Sequence, residues 1–374
     1  MAKITAVTMP KFGLAMTEGM VAAWHKQPGE SVRQGEEIAD IETSKITSAY
    51  ESPAAGILRR QVLAPGEMVP VGALIGIIAD PDVPEAEIDA FIAEFRAKFE
   101  AEQTEAETKP AASPERVQTP EGLVQYLAAG PADAPAMVFI HGFGGDLNNW
   151  MFLQPLLAER FRTVALDLPG HGGSTKAITE ADPAALARFV LAAMDALGIG
   201  AAHLVGHSMG GAVAIALAEQ ASDHALSLSL ISPAGLGAEI NADFIRGFIE
   251  AKRARQLNAV LQSLFADPAL VGHEMVENVL RFKRLDGVET ALRTLADALF
   301  PGGRQAYVLR PALERFSGPV QVIWGGQDKI IPPRHAEGLA ETVRVHRFDD
   351  AGHMAHMERA GEVARLISEL AGGR

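Results

Sequence analysis

Residues 28–42 read PGESVRQGEEIADIE and residues 65–79 read PGEMVPVGALIGIIA, the same frame displaced by 37 positions. The displacement also relates Gly19 to Gly56, and it holds for Pro28 and Pro65, Gly29 and Gly66, Glu30 and Glu67, Val32 and Val69, Gly35 and Gly72, Ile38 and Ile75, and Ile41 and Ile78. Pro-Gly and Gly at matched places are turn residues, and the short β-favouring runs between them are strands. Two such halves commit the start of the chain to two small packed sheets related by a pseudo-twofold. That module is complete by about residue 80, and the remainder of the 374 residues must fold separately.

Charge divides the chain further. The 47 acidic and 33 basic residues leave a net −14, which argues against nucleic-acid or anionic-membrane binding. Residues 81–120 carry 10 acidic and 4 basic groups, as large an excess as the whole of 121–374. The first half of this stretch places Ile88, Phe91, Ile92, Phe95 and Phe99 at helical spacing, which predicts an amphipathic helix packed on one of the chain's own domains. Its second half, AEQTEAETKPAASPERVQTP, has little to bury and is expected to be a flexible, self-repelling linker. Cysteine is absent, which excludes a disulfide scaffold, thiolate metal ligands and a cysteine nucleophile and fits a cytoplasmic protein. MAKITAVTMPKFG lacks the apolar core of a signal peptide, and no apolar run approaches the ~18 residues of a membrane span.

Between the repeated halves lies ETSKITSAYESPAAG, residues 42–56. A hairpin there lifts Lys45 to its tip, flanked by Ser44 and Ile46. The segment from Met9 to Gly56 resembles the lipoyl domain of 2-oxoacid and acetoin dehydrogenase complexes, over roughly residues 3–80. The resemblance implies lipoic acid attached to Lys45 through an amide. The biotinyl family, the nearest competitor, places methionine on both sides of the lysine, and Ser44 and Ile46 do not match it. A long arm on a tethered domain turns a bimolecular encounter into one at an effective concentration near ~1 mM.

From about residue 121 short apolar runs alternate with helical stretches: AMVFI (136–140), TVALDL (163–168), HLVGHS (203–208), LSLSLIS (226–232), VQVIW (320–324) and VRVHRF (343–348). Such alternation predicts a mostly parallel sheet flanked by helices. The third run leads into Gly206-His207-Ser208-Met209-Gly210, the G-x-S-x-G of a strained strand–turn–helix elbow that exposes a serine nucleophile. Asp328 follows one later strand and His353 follows the last, in the order Ser…Asp…His. In that set His353 takes the Ser208 proton and Asp328 fixes the imidazole. The backbone N–H groups of Met209 and of Phe143, in His141-Gly142-Phe143-Gly144-Gly145, are the candidate oxyanion donors. His141, His171 and His207 adjoin glycine turns and read as loop-shaping. His356 is an alternative base, while Asp349 and Asp350 lie too close in sequence to His353 to reach across to it. His353 and His356 make no metal site without a third ligand.

With Asp-Leu-Pro-Gly-His-Gly-Gly-Ser at 167–174, residues from about 118 to 374 resemble the α/β-hydrolase superfamily. The expected organisation is an all-β lipoyl domain at 1–80, helix and linker at 81–120, and an α/β-hydrolase domain at 121–374 with a helical cap at about 236–304. The cap carries Arg246, Lys252, Arg253, Arg255, Arg281, Lys283 and Arg284, either a solvated face or a phosphate contact for coenzyme A. The two halves together resemble the acyltransferase component of an acetoin dehydrogenase complex. That implies acetyl transfer to coenzyme A, a thiamine-diphosphate-dependent partner that loads the arm, a dihydrolipoamide dehydrogenase that reoxidises it, and a homo-oligomer. The His-x-x-x-Asp-Gly of ordinary 2-oxoacid acyltransferases is missing, its nearest match beginning at Phe282, and no peripheral subunit-binding domain is evident in 81–120. Hydrolysis of a thioester or carbon–carbon bond, and a lipoyl carrier on a non-catalytic scaffold, remain alternatives.

Overall fold

A computed structural model describes residues 4–10, 16, 18–43, 47–108 and 113–372. The chain divides into two units, Met1–Ala111 and Ala112–Arg374. In the first, strands β1 (Ile4–Thr8), β2 (Glu18–Trp24), β3 (Ser31–Val32), β4 (Glu37–Glu42), β5 (Thr47–Glu51), β6 (Gly56–Gln61), β7 (Met68–Pro70) and β8 (Leu74–Ala79) form two four-stranded sheets, ordered β1-β8-β6-β3 and β5-β4-β2-β7.

The sequence repeat maps one sheet onto the other. Shifting β6 and β8 back by 37 positions turns the pairs Leu58↔Ile78 and Gln61↔Gly76 into Val21↔Ile41 and Trp24↔Ala39, and the bulge between Leu58 and Arg60 into that between Val21 and Ala23. Each sheet takes strands from both halves, so neither half can bury its apolar face alone. Val7, Val21, Ile38, Ile41, Leu58, Ile75 and Ile78 fill the space between the sheets. The turn glycines repeat as well: Gly29 and Gly66 have φ of 97° and 89°, a left-handed conformation that side chains with a Cβ resist.

Helix α1 (Glu85–Thr108) lays Ile88, Phe91, Ile92 and Phe95 on Leu74, Ile77 and Ala79, on the outer face of the β8 sheet. Glu85 receives Arg59 and Arg60 at 2.6 Å each. The predicted helix is therefore present, but it runs on where a linker was expected. Ala, Glu and Gln have high intrinsic helix propensity, which suits the continuation to Thr108. The linker shortens again at its far end, because Glu115–Thr119 is a strand of the second unit. The boundary expected at residue 120 thus moves upstream.

That unit is built on β9 (Glu115–Thr119), β10 (Gly122–Ala129), β11 (Ala136–Ile140), β12 (Arg162–Leu166), β13 (Ala202–His207), β14 (Ala225–Ile231), β15 (Val320–Gly325) and β16 (Val343–Phe348). The sheet order is β16-β15-β14-β13-β11-β12-β10-β9, parallel from β12 to β16 with an antiparallel β9–β10 hairpin at one edge. Around it lie α2 (Gln154–Ala158), α3 (Pro183–Ala196), α4 (Met209–Gln220), the cap helices α5 (Ala242–Glu250), α6 (Ala254–Gln262), α7 (His273–Lys283) and α8 (Val288–Leu299), then α9 (Arg310–Arg315), α10 (Ala355–Glu358) and α11 (Ala360–Ala371). Alternation along β11 sends Val138 and Ile140 to the α3–α4 side and Met137 and Phe139 to the side of α2 and α11. Strand order reverses around β11 and β13, so a crevice opens beyond their C-terminal ends. The cap enters and leaves beside this crevice. Its two stems are stitched by a Glu239↔Arg304 bridge and by Gln305, whose Oε1 accepts Gly235 N–H at 2.7 Å and whose Nε2 donates to Glu239 O at 2.8 Å.

Candidate active site

Ser208 stands between β13 and α4 with φ 53° and ψ −119°. A non-glycine residue in that region stores strain of about 1–3 kcal/mol, and the surroundings enforce it. Ser208 N–H donates to Ile231 O at 3.0 Å, and Ser208 O accepts Gly211 and Ala234 N–H at 2.9 Å each. Neighbouring side chains have no room: a Cβ on Gly210 would lie 2.0 Å from Ile140 O, and one on Gly142 would lie 2.9 Å from the Ser208 Cβ. The elbow is therefore a property of the sheet spacing as much as of the motif.

Asp328, in the turn after β15, and His353, in the loop after β16, meet with Nδ1 2.8 Å from Oδ2, and both side chains are buried. Asp328 Oδ2 also accepts Trp324 Nε1–H at 2.9 Å, and Oδ1 accepts the N–H groups of Ile330 and Ile331 at 2.8 and 3.0 Å. Burial pushes this carboxyl up, but the charge and hydrogen bond of His353 and those two amides outweigh it and hold the pKa below the ordinary value. An ionised Asp328 can only accept, so Nδ1 of His353 carries hydrogen and Nε2 is the basic nitrogen.

The remaining histidines brace this arrangement. His141 donates Nδ1–H to Gly142 O at 2.8 Å and accepts Leu168 N–H on Nε2 at 2.9 Å. His171 donates Nδ1–H to Pro169 O at 2.9 Å and accepts Gly144 N–H at 3.0 Å. Burial lowers the pKa of both, and neutrality is what lets Nε2 accept. Their loop-shaping role follows from these bonds. His207 does more than the sequence suggested, since its Nε2–H donates to the carbonyl of His353 at 3.0 Å and ties the elbow to the histidine loop. His356 is enclosed by the rings of Trp150 and His207 at 4.9 and 4.6 Å and is pushed down to about 3 by burial and by His353. It makes no bond to Asp328, so the structure does not support it as an alternative base. Asp349 and Asp350 pair at the surface with Arg347 and Arg359.

Among the described residues Phe143 and Met209 donate their N–H groups to no protein acceptor, whereas Gly144 and Gly145 do. Over this loop the cap lowers Phe248, whose ring centroid lies 6.1 Å from that of Phe143, with Phe300 at 5.9 Å. Gly144 (φ 74°) must be glycine here, because a Cβ would lie 2.4 Å from Phe248 Cζ. An apolar cleft beside Met209 is lined by Leu186, Val213, Leu299 and Phe300. Trp324, Phe248 and the His207 tie carried no signal of their own in the sequence. Trp324 stood within the motif before Asp328, but its indole bond requires the turn to fold. No group of three or more His, Asp or Glu able to hold a metal occurs among the described residues. No helix among them is long and apolar enough to cross a membrane. Lys45 lies outside the described residues, within the connection from β4 to β5, whose pairing closes at Glu42↔Thr47.

Residues 135–360 match the family model of the alpha/beta hydrolase fold, and residues 5–78 match that of biotin-requiring enzymes, which spans biotinyl and lipoyl domains. A meta-cleavage product hydrolase from Pseudomonas fluorescens shares the hydrolase fold, with a TM-score of 0.63 at 22% identity over 69% of this chain and 97% of that one. Two bacterial proteins match nearly end to end. The dihydrolipoyllysine-residue acetyltransferase component of the acetoin cleaving system of Pseudomonas putida is 46% identical over 97% of both chains. That of Cupriavidus necator is 44% identical over 99% of this chain and 98% of its own. The chain, an acyltransferase that joins a lipoyl domain to an α/β-hydrolase domain, therefore belongs to the family of dihydrolipoyllysine-residue acetyltransferase components of acetoin cleaving systems.

Proposed function

We propose that the chain passes an acetyl group from a lipoyl arm on Lys45 to coenzyme A, with Ser208, His353 and Asp328 as the acyl-transfer set. The observation that carries this is the buried 2.8 Å Asp328–His353 pair beside a strained serine elbow, on a chain that also holds a lipoyl domain. Lys45 suits the prosthetic group by its chemistry, a primary amine able to form an amide, in a short connection between paired strands. When bound, the group supplies a thiol that holds acetyl as a thioester.

Ser208 Oγ attacks the acetyl carbon while His353 Nε2 takes the hydroxyl proton and Asp328 stabilises the imidazolium. The oxyanion rests on the N–H groups of Phe143 and Met209. As the C–S bond breaks, His353 returns the proton to the departing sulfur. The thiol of coenzyme A then gives its proton to His353 and attacks the acyl carbon. The C–O bond breaks and the proton goes back to Ser208. The cap residues Phe248 and Phe300 keep water from taking the acceptor's place. By kinship, a thiamine-diphosphate-dependent acetoin dehydrogenase component loads the arm and a dihydrolipoamide dehydrogenase reoxidises it, in a homo-oligomeric cytoplasmic assembly.

Purified protein with acetyl-dihydrolipoamide should form acetyl-coenzyme A only when coenzyme A is present. Ser208→Ala should cut the rate by ~10⁴-fold or more while the Lys45 peptide keeps its lipoyl mass. Free acetate at the same rate with or without coenzyme A would instead identify a thioesterase. No turnover would leave a carrier on a scaffold, and full activity of the variant would remove the triad from the mechanism.

A further inference from the structure

The cap carries a cluster of cations that the acyl-transfer chemistry does not use. Lys283, near the end of α7, donates to the carbonyls of Phe248 and Ala251. This pins the C-terminal end of α7 against the start of the segment Lys252-Arg253-Ala254-Arg255. Arg281 and Arg284 on one side, and Arg253 and Arg255 on the other, are thereby gathered at one end of the cap, all exposed. None of these four guanidinium groups has a carboxylate or carbonyl partner among the described residues, while Arg246 and Arg293 nearby are paired with Asp243 and Glu289. Lys252 reaches Glu289 at 3.6 Å.

Local structure accounts for only part of this. Cations near the C-terminal end of α7 are favoured by the helix dipole. Arg253 and Arg255 sit at the start of α6, where the dipole opposes them and no acidic residue in the first turn compensates. In a chain of net charge −14, four guanidinium groups with no carboxylate partner among the described residues lie at the start of α6 and the end of α7, with Glu250 and Asp286 the nearest acidic residues along the chain. Lys283, which joins these two segments, also relates this end of the cap to the chemistry. Lys283 Nζ lies 5.3 Å from the centroid of the Phe248 ring, and that ring lies on Gly144 and 6.1 Å from the Phe143 ring of the oxyanion loop. One aromatic side chain, Phe248, thus lies between Lys283 and Phe143.

We infer that this end of the cap, Arg253, Arg255, Arg281 and Arg284, binds the 3′-phospho-ADP portion of the acyl acceptor, so that the pantetheine thiol is presented from the cap side. The inference rests on coenzyme A being the acceptor and assigns the residues that select it. Guanidinium suits this task better than ammonium because its planar fork meets phosphate oxygens in pairs.

The test is calorimetric titration of 3′,5′-ADP into the full-length lipoylated protein, with inorganic phosphate as the comparison ligand. It is paired with KM measurements for coenzyme A and for pantetheine, which lacks the phosphates. We expect wild-type binding of 3′,5′-ADP that weakens with added salt and exceeds that of phosphate. Arg281→Glu/Arg284→Glu should weaken 3′,5′-ADP about tenfold or more and raise KM for coenzyme A by a similar factor. The KM for pantetheine should move less than about twofold, since each exposed ion pair contributes a few-fold and charge reversal adds repulsion. Arg253→Gln/Arg255→Gln, which only removes charge, should act in the same direction with a smaller effect. Equal binding of 3′,5′-ADP by wild type and both variants, phosphate binding as tightly as 3′,5′-ADP, or parallel loss for coenzyme A and pantetheine would overturn the assignment. Absence of acetyl transfer with intact, arginine-dependent 3′,5′-ADP binding would overturn the transfer reading and leave this site standing.

Discussion

His356 is fully buried with no hydrogen-bond partner for either ring nitrogen among the described residues, one ring away from the Asp328–His353 pair. Its pKa of about 3 lies below the ordinary 6.5, so the unfolded chain binds a proton that the folded chain refuses. Stability then rises with pH between those values. The neutral-ring contribution is complete above about pH 6.5 and is lost progressively as pH falls toward 3. His207, His141 and His171 are shifted in the same direction by burial. Thermal unfolding should therefore show the hydrolase unit weakening below about pH 6.5. His356→Phe, which preserves the stack on Trp150 and cannot be protonated, should spare about 2 kcal/mol of that loss at pH 5. A pH–stability curve for the variant parallel to wild type would show that His356 does not titrate in this way.

At the scale of elements, the site is an agreement between loops that no strand enforces by itself. The turn after β13 carries the serine, the turn after β15 the aspartate and the loop after β16 the histidine. His207 is the direct bond between the first and the last, through the 3.0 Å contact to the His353 carbonyl. If this bond positions the imidazole, His207→Ala should lower kcat about tenfold with little change in KM. His207→Gln, whose amide nitrogen can donate from nearly the same place, should recover most of the loss. Equal damage from both substitutions would assign His207 a packing role only.

At the scale of the whole molecule, two separately folded units share one chain, joined through 109–114 after α1 ends. A covalent tether sets the encounter of arm and serine at an effective concentration of about 1 mM, whereas cleaved halves meet at their bulk concentration. A protease site inserted within 109–114 should leave ester hydrolysis by the hydrolase unit intact. After cleavage at micromolar concentration, acetyl transfer from the lipoyl unit should fall by ~10²-fold or more and regain dependence on protein concentration. A rate unaffected by cleavage would mean that donor and acceptor sites lie on different chains.

How much of this could be read in advance differs from place to place. The β-module was legible because its repeat states the same turns twice, and the observed register repeats with them. The strand runs and the Ser208, Asp328 and His353 positions were legible because short-range patterns specify them: apolar runs for strands, and glycine turns at their ends. The extent of α1, to Thr108, is not legible from its apolar positions, because hydrophobic content identifies what a helix buries and not how far it continues. The edge strand β9 is not announced by its residues, because Glu-Arg-Val-Gln-Thr reads as the end of the polar stretch before it. The sequence by itself determined the two folds and the turn residues, since these depend on interactions between near neighbours along the chain. Only the tertiary structure decided that His207 bonds the His353 carbonyl, that Phe248 packs on Phe143 and Gly144, and that Lys283 joins the end of α7 to the segment before α6. Each of those contacts joins segments distant in sequence, and packing of the cap and sheet, with no local pattern to announce it, is what brings them within reach.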